Sequence, residues 1–390
     1  MEGGPNVWDS VGVTIVESAE PRWVPADAWT IAARPSLDLG TADGPAEYRF
    51  DRLEGILRRA DQSLVVADGG SSEIRFYDAS GQFIRRVGGP GSGPGEFQRI
   101  SGLGTGSGDS LWVYDFGARR FTILTAEGDV VRTTRVPDAL ANVGAVGRLP
   151  EGPFVLQEYW SSHSDEESPR EGLTREEAVI ATMPASGGGV DTLGLFPGRE
   201  VLIWSENGRA VMSTPLFARS TNVAMLRGEV LVGDQTAFEI RRYTSSGRLV
   251  KIFRRTDVSL RLLEHEVERA IEAELAARPV SELPMWRSHF ARMVEPDTRP
   301  AYSRLLSDGD GNTWVASHQP GTQDRGEGGE WSVFDQEGEW LGTVEMPERF
   351  LVHQIGSDWV LGRWRDEMDV EHVRLYELHR TSSAAFQLQP

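Results

Sequence analysis

The stretch Ser63-Leu64-Val65-Val66-Ala67-Asp68 returns 47 residues later as Ser110-Leu111-Trp112-Val113-Tyr114-Asp115, and more loosely as Glu229-Val230-Leu231-Val232-Gly233-Asp234. Thirteen residues beyond each aspartate stands a glycine: Gly81, Gly128 and Gly247. Between aspartate and glycine lie alternating segments such as Glu73-Ile74-Arg75-Phe76-Tyr77 and Phe121-Thr122-Ile123-Leu124. After the glycine come Gln82-Phe83-Ile84-Arg85-Arg86-Val87 and Asp129-Val130-Val131-Arg132. Period-two patterning broken by Asp-x-x-Gly turns specifies antiparallel strands joined by hairpins. A repeat of 47 residues matches one four-stranded propeller blade, which takes roughly 40–50.

A second element shares this phase. Phe50-Asp51-Arg52, Phe97-Gln98-Arg99, Phe217-Ala218-Arg219 and Tyr302-Ser303-Arg304 all read aromatic-x-Arg, and the first three arginines stand 16, 16 and 15 residues before Asp68, Asp115 and Asp234. Degenerate copies fill the gaps. Ala145 to about Phe196 supplies a third blade, with Pro153–Gln157 as its second strand and a polar loop near His163–Glu177. Asn312–Ala316 and Glu330–Phe334, followed by Gly338, supply a fifth, with residues 318–329 inserted. Phe350–Ile355, Asp358–Trp364 and Val370–Leu378 give only three strands for the last. The N-terminus offers the fourth, at Trp29–Ala33 or Leu37–Leu39, and a ring closed by both chain ends leaves no long open sheet edge.

The expectation is an all-β, six-bladed β-propeller closed by an N-terminal strand, with residues 1–27 as an extension and 28–390 as one domain. A helical insertion is expected at 257–299, between blades four and five. There Ser259 is placed to cap a helix whose apolar residues Leu260, Leu263, Val267, Ile271 and Leu275 recur at spacings of three and four, until Pro279 ends it. Trp286, Phe290 and Met293 continue the pattern, and such a stripe needs a surface to cover, here a propeller face.

The junction Val87-Gly88-Gly89-Pro90-Gly91-Ser92-Gly93-Pro94-Gly95-Glu96-Phe97, with Leu111–Asp115 and Arg119-Arg120-Phe121, resembles the NHL-repeat family of β-propellers. The whole chain is similar to bacterial six-bladed NHL-like propellers, often exported as lipoproteins. That resemblance implies an extracytoplasmic, periplasmic or lipid-anchored location and a binding scaffold. Relatives in the wider superfamily include metal-dependent lactonases and lyases, so the fold alone selects no function.

Composition narrows the partners. With 40 Lys+Arg against 59 Asp+Glu the net charge is −19, which opposes general binding to nucleic acid or anionic membranes. No apolar run reaches the length of a membrane-spanning helix. Met1-Glu2-Gly3-Gly4-Pro5 does not read as a signal peptide. Cysteine is absent, which removes disulfides, thiolate metal sites and thiol nucleophiles. Lys251 is the only lysine, so an anion site here would be built from arginine forks.

Candidate site residues follow from the phase of the repeat. Arg52, Arg99, Arg219 and Arg304 enter the innermost strands of four blades and would form a positive funnel at the channel mouth, although each could instead pair with a blade aspartate or a carbonyl. Asp68, Asp115 and Asp234 could ligate a cation, but a carboxylate placed identically in several repeats more often serves the repeat by bonding turn amides or an arginine. His318, Glu158 and Arg363 stand near the aspartate position in other blades and mark where a specialised site would sit. None of the 7 histidines belongs to a His-x-His or His-Glu-x-x-His pattern. Asp308-Gly309-Asp310-Gly311-Asn312 imitates a calcium loop but has Thr313 and Gln319 where glycine and glutamate belong, and reads as a hairpin turn. No Walker loop, dinucleotide loop or Gly-x-Ser-x-Gly elbow occurs. Among 12 tryptophans, Trp286, Trp160 and Trp364, with Tyr159, could line a ligand cleft, the rest serving inter-blade packing.

The leading expectation is a noncatalytic propeller that binds a small anionic molecule or a protein at the face shared by the arginine loops and the insertion, with no cofactor. The rival is a metal-dependent hydrolase, lactonase or lyase using Asp, Glu158 or His318 around a divalent ion such as calcium or zinc.

Overall fold

The computed structural model describes residues 4–140, 142–149, 152–159, 171–206, 208–320 and 328–380. Trp160, His163 and most of the polar loop expected near 163–177 lie outside these residues, as does much of the 318–329 insert.

Four blades are plain four-stranded antiparallel meanders. They run Leu53–Arg58 to Phe83–Gly88, Ile100–Thr105 to Val130–Arg135, Val143–Arg148 to Asp191–Pro197, and Arg304–Ser307 to Trp340–Met346. These are blades one, two, three and five. Blade four begins with Asn222–Leu226 and ends with Leu249–Arg255, and blade six comprises Phe350–Ile355, Trp359–Arg365 and Glu371–His379. The first strand of each blade touches the first strand of the next, and that of blade six returns to blade one. That closed circuit of six sheets is a six-bladed β-propeller.

Why each blade has two kinds of strand follows from this stacking. Leu64–Asp68 and Leu111–Asp115 are buried at every position because each has a neighbouring blade on both faces, so they read as unbroken apolar runs. The outer strand Phe83–Gly88 alternates, since its far face meets water. No single central core exists. Instead one apolar cluster fills each of the six blade interfaces, as with Val65, Phe76, Leu111 and Val113 between blades one and two. Phe121 and Phe154 stack at 3.8 Å across the next interface. Burying one such phenyl ring contributes about 1.5–3 kcal/mol.

The N-terminus runs as a strap over three outer edges. Asn6–Ser10 and Val13–Ser18 form a hairpin whose second strand pairs in parallel with Leu249–Arg255, enlarging blade four to six strands. The Trp23 amide then donates to Leu341 O of blade five, and its ring meets Trp29 at a tilt of 43° with centroids 4.7 Å apart. Thr30–Ile31 and Leu37–Leu39 both pair antiparallel with Glu371–His379, the third strand of blade six.

Between blades four and five the chain forms helices α1 (Glu264–Ala276) and α2 (Leu283–Phe290). The expected cap at Ser259 is corrected. The segment before α1 is tied in an extended form, with Leu262 bonding Asp297, and the Glu266 carboxylate instead accepts the Leu263 amide at 2.9 Å. The helices pack Ala270 and Phe290 against Leu216 and Phe217. A further three-stranded sheet, Gly172–Thr174, Val201–Glu206 and Arg209–Ser213, stands beside them. Among the described residues no helix is long and apolar enough to cross a membrane.

Candidate functional site at the central channel

The channel opens into a cavity of about 610 Å³ walled by the innermost strands of blades three, four and five. Gly144 and Ala145 face Asn222–Met225 and Arg304–Ser307, and the entry loops contribute Thr214–Leu216 and Ser220–Thr221. Innermost strands supply small and polar side chains here because the ring narrows toward its axis. At Gly144 a Cβ would run into the Tyr159 hydroxyl, so glycine is what lets that phenol reach the cavity.

Arg304 is the decisive side chain. Its half-buried guanidinium donates from Nη1 to Val352 O at 2.6 Å. Burial, reinforced by the Arg363 charge, lowers its pKa to about 10. Among the described residues no carboxylate pairs with it. Arg199 lies across the cavity over the Tyr159 ring, at 6.0 Å from its centroid, and burial lowers its pKa too. His318 presents a buried Nε2 without a hydrogen-bond partner, packed near Phe217, and burial drives its pKa down to about 4. A neutral imidazole and two half-buried guanidinium groups stand on this wall with Gln157, Asn222 and Gln235, whose amide nitrogens already donate to the backbone carbonyls of Thr221, Ser220 and Tyr302.

Of the four aromatic-x-Arg residues, Arg304 alone lines this cavity. Arg219 is turned into a paired ion: its Nε donates to Glu200 at 2.8 Å, and the Arg219 amide donates to the same carboxylate at 2.7 Å. Arg52 donates to Gly69 O at 2.8 Å, while Arg99 lies 4.8 Å over the Phe116 ring. Both nonetheless act, with Arg363, on the Glu54 carboxylate, whose pKa is raised by desolvation against their pull. Arg363 is itself buried and pairs with Glu371 at 3.3 Å. The expected fourfold funnel is thus divided: Arg52, Arg99 and Arg363 surround Glu54, Arg304 faces the cavity, and Arg219 is neutralised.

The tryptophans fall elsewhere. Trp286 belongs to a different pocket, under α2. Trp364 is sandwiched within blade six, where the Arg374 guanidinium lies 3.2 Å from its ring centroid. Tyr159 and His318 do line the cavity. Arg199 and Gln235 were missed by sequence reasoning; the only signal for Gln235 is its position beside the repeat aspartate Asp234.

The blade aspartates bond backbone. Asp115, fully buried, accepts the amides of Gln98, Arg99 and Ala118, each at 3.0 Å. Asp68 accepts the Ser71 amide at 3.0 Å and pairs with Arg75 at 3.2 Å. In blade four the duty moves one residue on: Gln235 Oε1 accepts the Ser220 amide at 2.6 Å, while Asp234 caps its own turn through Thr236. Asp308 of the calcium-like sequence accepts the Asp310 and Asn312 amides and Trp314 Nε1, and pairs with Arg380 at 2.9 Å. It closes a turn. Among the described residues no group of three or more His, Asp or Glu is placed to hold a metal ion.

A profile of the DUF5128 family, described as a 6-bladed β-propeller, matches residues 50–165. No curated protein matches the sequence. Two solved structures from Bacteroides share the fold across nearly the whole chain. A member of the DUF4221 family from B. vulgatus superposes with a TM-score of 0.54 at 9% identity, covering 91% of this chain and 99% of that one. A B. fragilis protein named for an inferred export gives 0.50 at 13% identity, covering 94% and 100%. The virginiamycin B lyase of Staphylococcus aureus is more distant, with a TM-score of 0.43 at 10% identity over 90% and 99% of the two chains. At these identities the likeness concerns the fold, and this chain is similar to six-bladed β-propellers, by family profile over its first blades and by superposition throughout.

Proposed function

We propose that this protein is a noncatalytic binding propeller that holds a small anionic, hydroxyl-bearing molecule in the central channel. One observation carries the reading: Arg304 is a half-buried guanidinium on the cavity wall, and among the described residues no carboxylate neutralises it. A buried charge of that kind is costly until an opposite charge arrives, and a planar fork receives a carboxylate or phosphate through two bonds. The side-chain oxygens of Gln157 and Asn222 and the unpartnered His318 nitrogen suit the hydroxyl groups of a sugar acid or a similar polyol acid. The cavity volume suits a molecule of that size. The reading includes a ring closed by the N-terminal strap, an NHL-like lineage and an extracytoplasmic location, the last in keeping with the name of the B. fragilis neighbour.

Thermal shift with gluconate, galacturonate and inorganic phosphate, against glucose as the neutral control, tests the proposal. The acids should raise the melting temperature of the native protein, and Arg304→Met should abolish that rise. An equal rise in Arg304→Met, or no rise with any acid in the native protein, overturns it.

A further inference from the structure

A second pocket, of about 310 Å³, lies between α2 and the strand Arg209–Ser213. Trp286, Phe290 and Met293 line it together with Ser213, Glu274 and His289. The aromatic groups are held rather than loose. His289 meets Trp286 edge-on with centroids 5.4 Å apart and Phe290 at 5.6 Å, and the Arg278 guanidinium lies 4.0 Å over the outer Trp286 ring. The one carboxylate, Glu274, is 1% exposed and already paired with Arg278 at 3.1 Å. The pocket is therefore electrically neutral. A single hydrogen-bonding station stands in its apolar wall, where Ser213 Oγ meets His289 Nε2 at 3.1 Å. At the mouth the apolar side chain of Met285 faces water, at 59% exposure.

We propose that this pocket is a ligand site distinct from the channel, taking a neutral, flat aromatic molecule of up to two rings that carries one hydroxyl. Size sets the upper limit, since an apolar cavity of about 150 Å³ accommodates benzene. Aromatic walls in edge-on array favour a ring over an alkyl chain. The hydroxyl is placed by the Ser213–His289 pair, which can both donate and accept. His289 is neutral at pH 7 because burial lowers its pKa, so the station does not attract an anion. Thr214 and Leu216 form part of both this pocket and the channel cavity, so the two sites share a wall. The proposal does not depend on the channel's ligand.

Calorimetric titration with 2-naphthol, naphthalene and 2-naphthoate tests it on the intact protein. Saturable binding of 2-naphthol is expected, tighter than naphthalene by about fivefold, with 2-naphthoate no better than naphthalene. Ser213→Ala should bring 2-naphthol down to the naphthalene value and leave naphthalene unchanged. Met293→Trp, which fills the pocket, should remove both while native circular dichroism is retained. No saturable 2-naphthol binding, binding unaltered in both variants, or a preference for 2-naphthoate overturns the proposal.

Discussion

Replacing Asp115 by alanine removes a carboxylate that is wholly buried and accepts three backbone amides, Gln98, Arg99 and Ala118, each at 3.0 Å. The three amides join the loop entering blade two to the turn after its second strand, so none can be rehydrated unless both segments open. An amide left unpaired in the interior costs about 1–3 kcal/mol; allowing for partial relaxation, the variant should lose about 4 kcal/mol. With an unfolding entropy of about 2.1 cal/mol/K per residue, a chain this long loses roughly 5 °C of melting temperature for that change. Asp115→Asn keeps the shape but turns one acceptor into a donor, and should lose about half as much. Asp129→Ala, on an exposed hairpin, is the control and should stay within about 0.5 kcal/mol. Urea unfolding at neutral pH, followed by tryptophan fluorescence and checked by calorimetry, gives all three values. An Asp115→Ala protein within about 1 kcal/mol of the native one would refute the backbone-clamp reasoning. A calcium-dependent stabilisation lost in that variant would return the aspartates to the cation reading.

Further outcomes follow from other parts of the molecule. His318, with its pKa held near 4, stays neutral in the folded chain while the unfolded chain takes up a proton below about pH 6.5. Stability must therefore fall as pH drops from 6.5 toward 4, by roughly 3 kcal/mol from this residue, and His318→Gln should flatten that limb; superimposable profiles would count against it. His353, pushed well below its usual range by burial and by Arg304 and Arg363, adds a change of the same sign. Deleting residues 1–20 uncovers the outer strand Leu249–Arg255, and light scattering should show association through the bared edge; a strictly monomeric truncated protein would contradict the strap's protective role. Elemental analysis of protein purified without added metal separates the binding reading from a metal-assisted hydrolase, lactonase or lyase. A stoichiometric divalent ion would favour the enzyme.

How far the sequence carried the site can be judged residue by residue. Tyr159, His318 and Arg304 were legible because they occupy, or neighbour, repeat positions whose phase places them at the channel. Arg219 shares that phase equally, yet Glu200, which the repeat does not announce, captures it. Trp286 and Trp364 are chemically suited to a cleft, but packing sends one under a helix and the other beneath Arg374.

The sequence by itself determined the strand rhythm, the number of blades and the role of a buried aspartate such as Asp115, since local alternation and a 47-residue period act through hydrogen bonds within one blade. Tertiary structure alone decided which arginines are neutralised, where the strap lies, and that Gln235 replaces Asp234 in its duty. Those outcomes depend on which blades become neighbours around the ring. Charges far apart along the chain choose their partners only once that ring has closed.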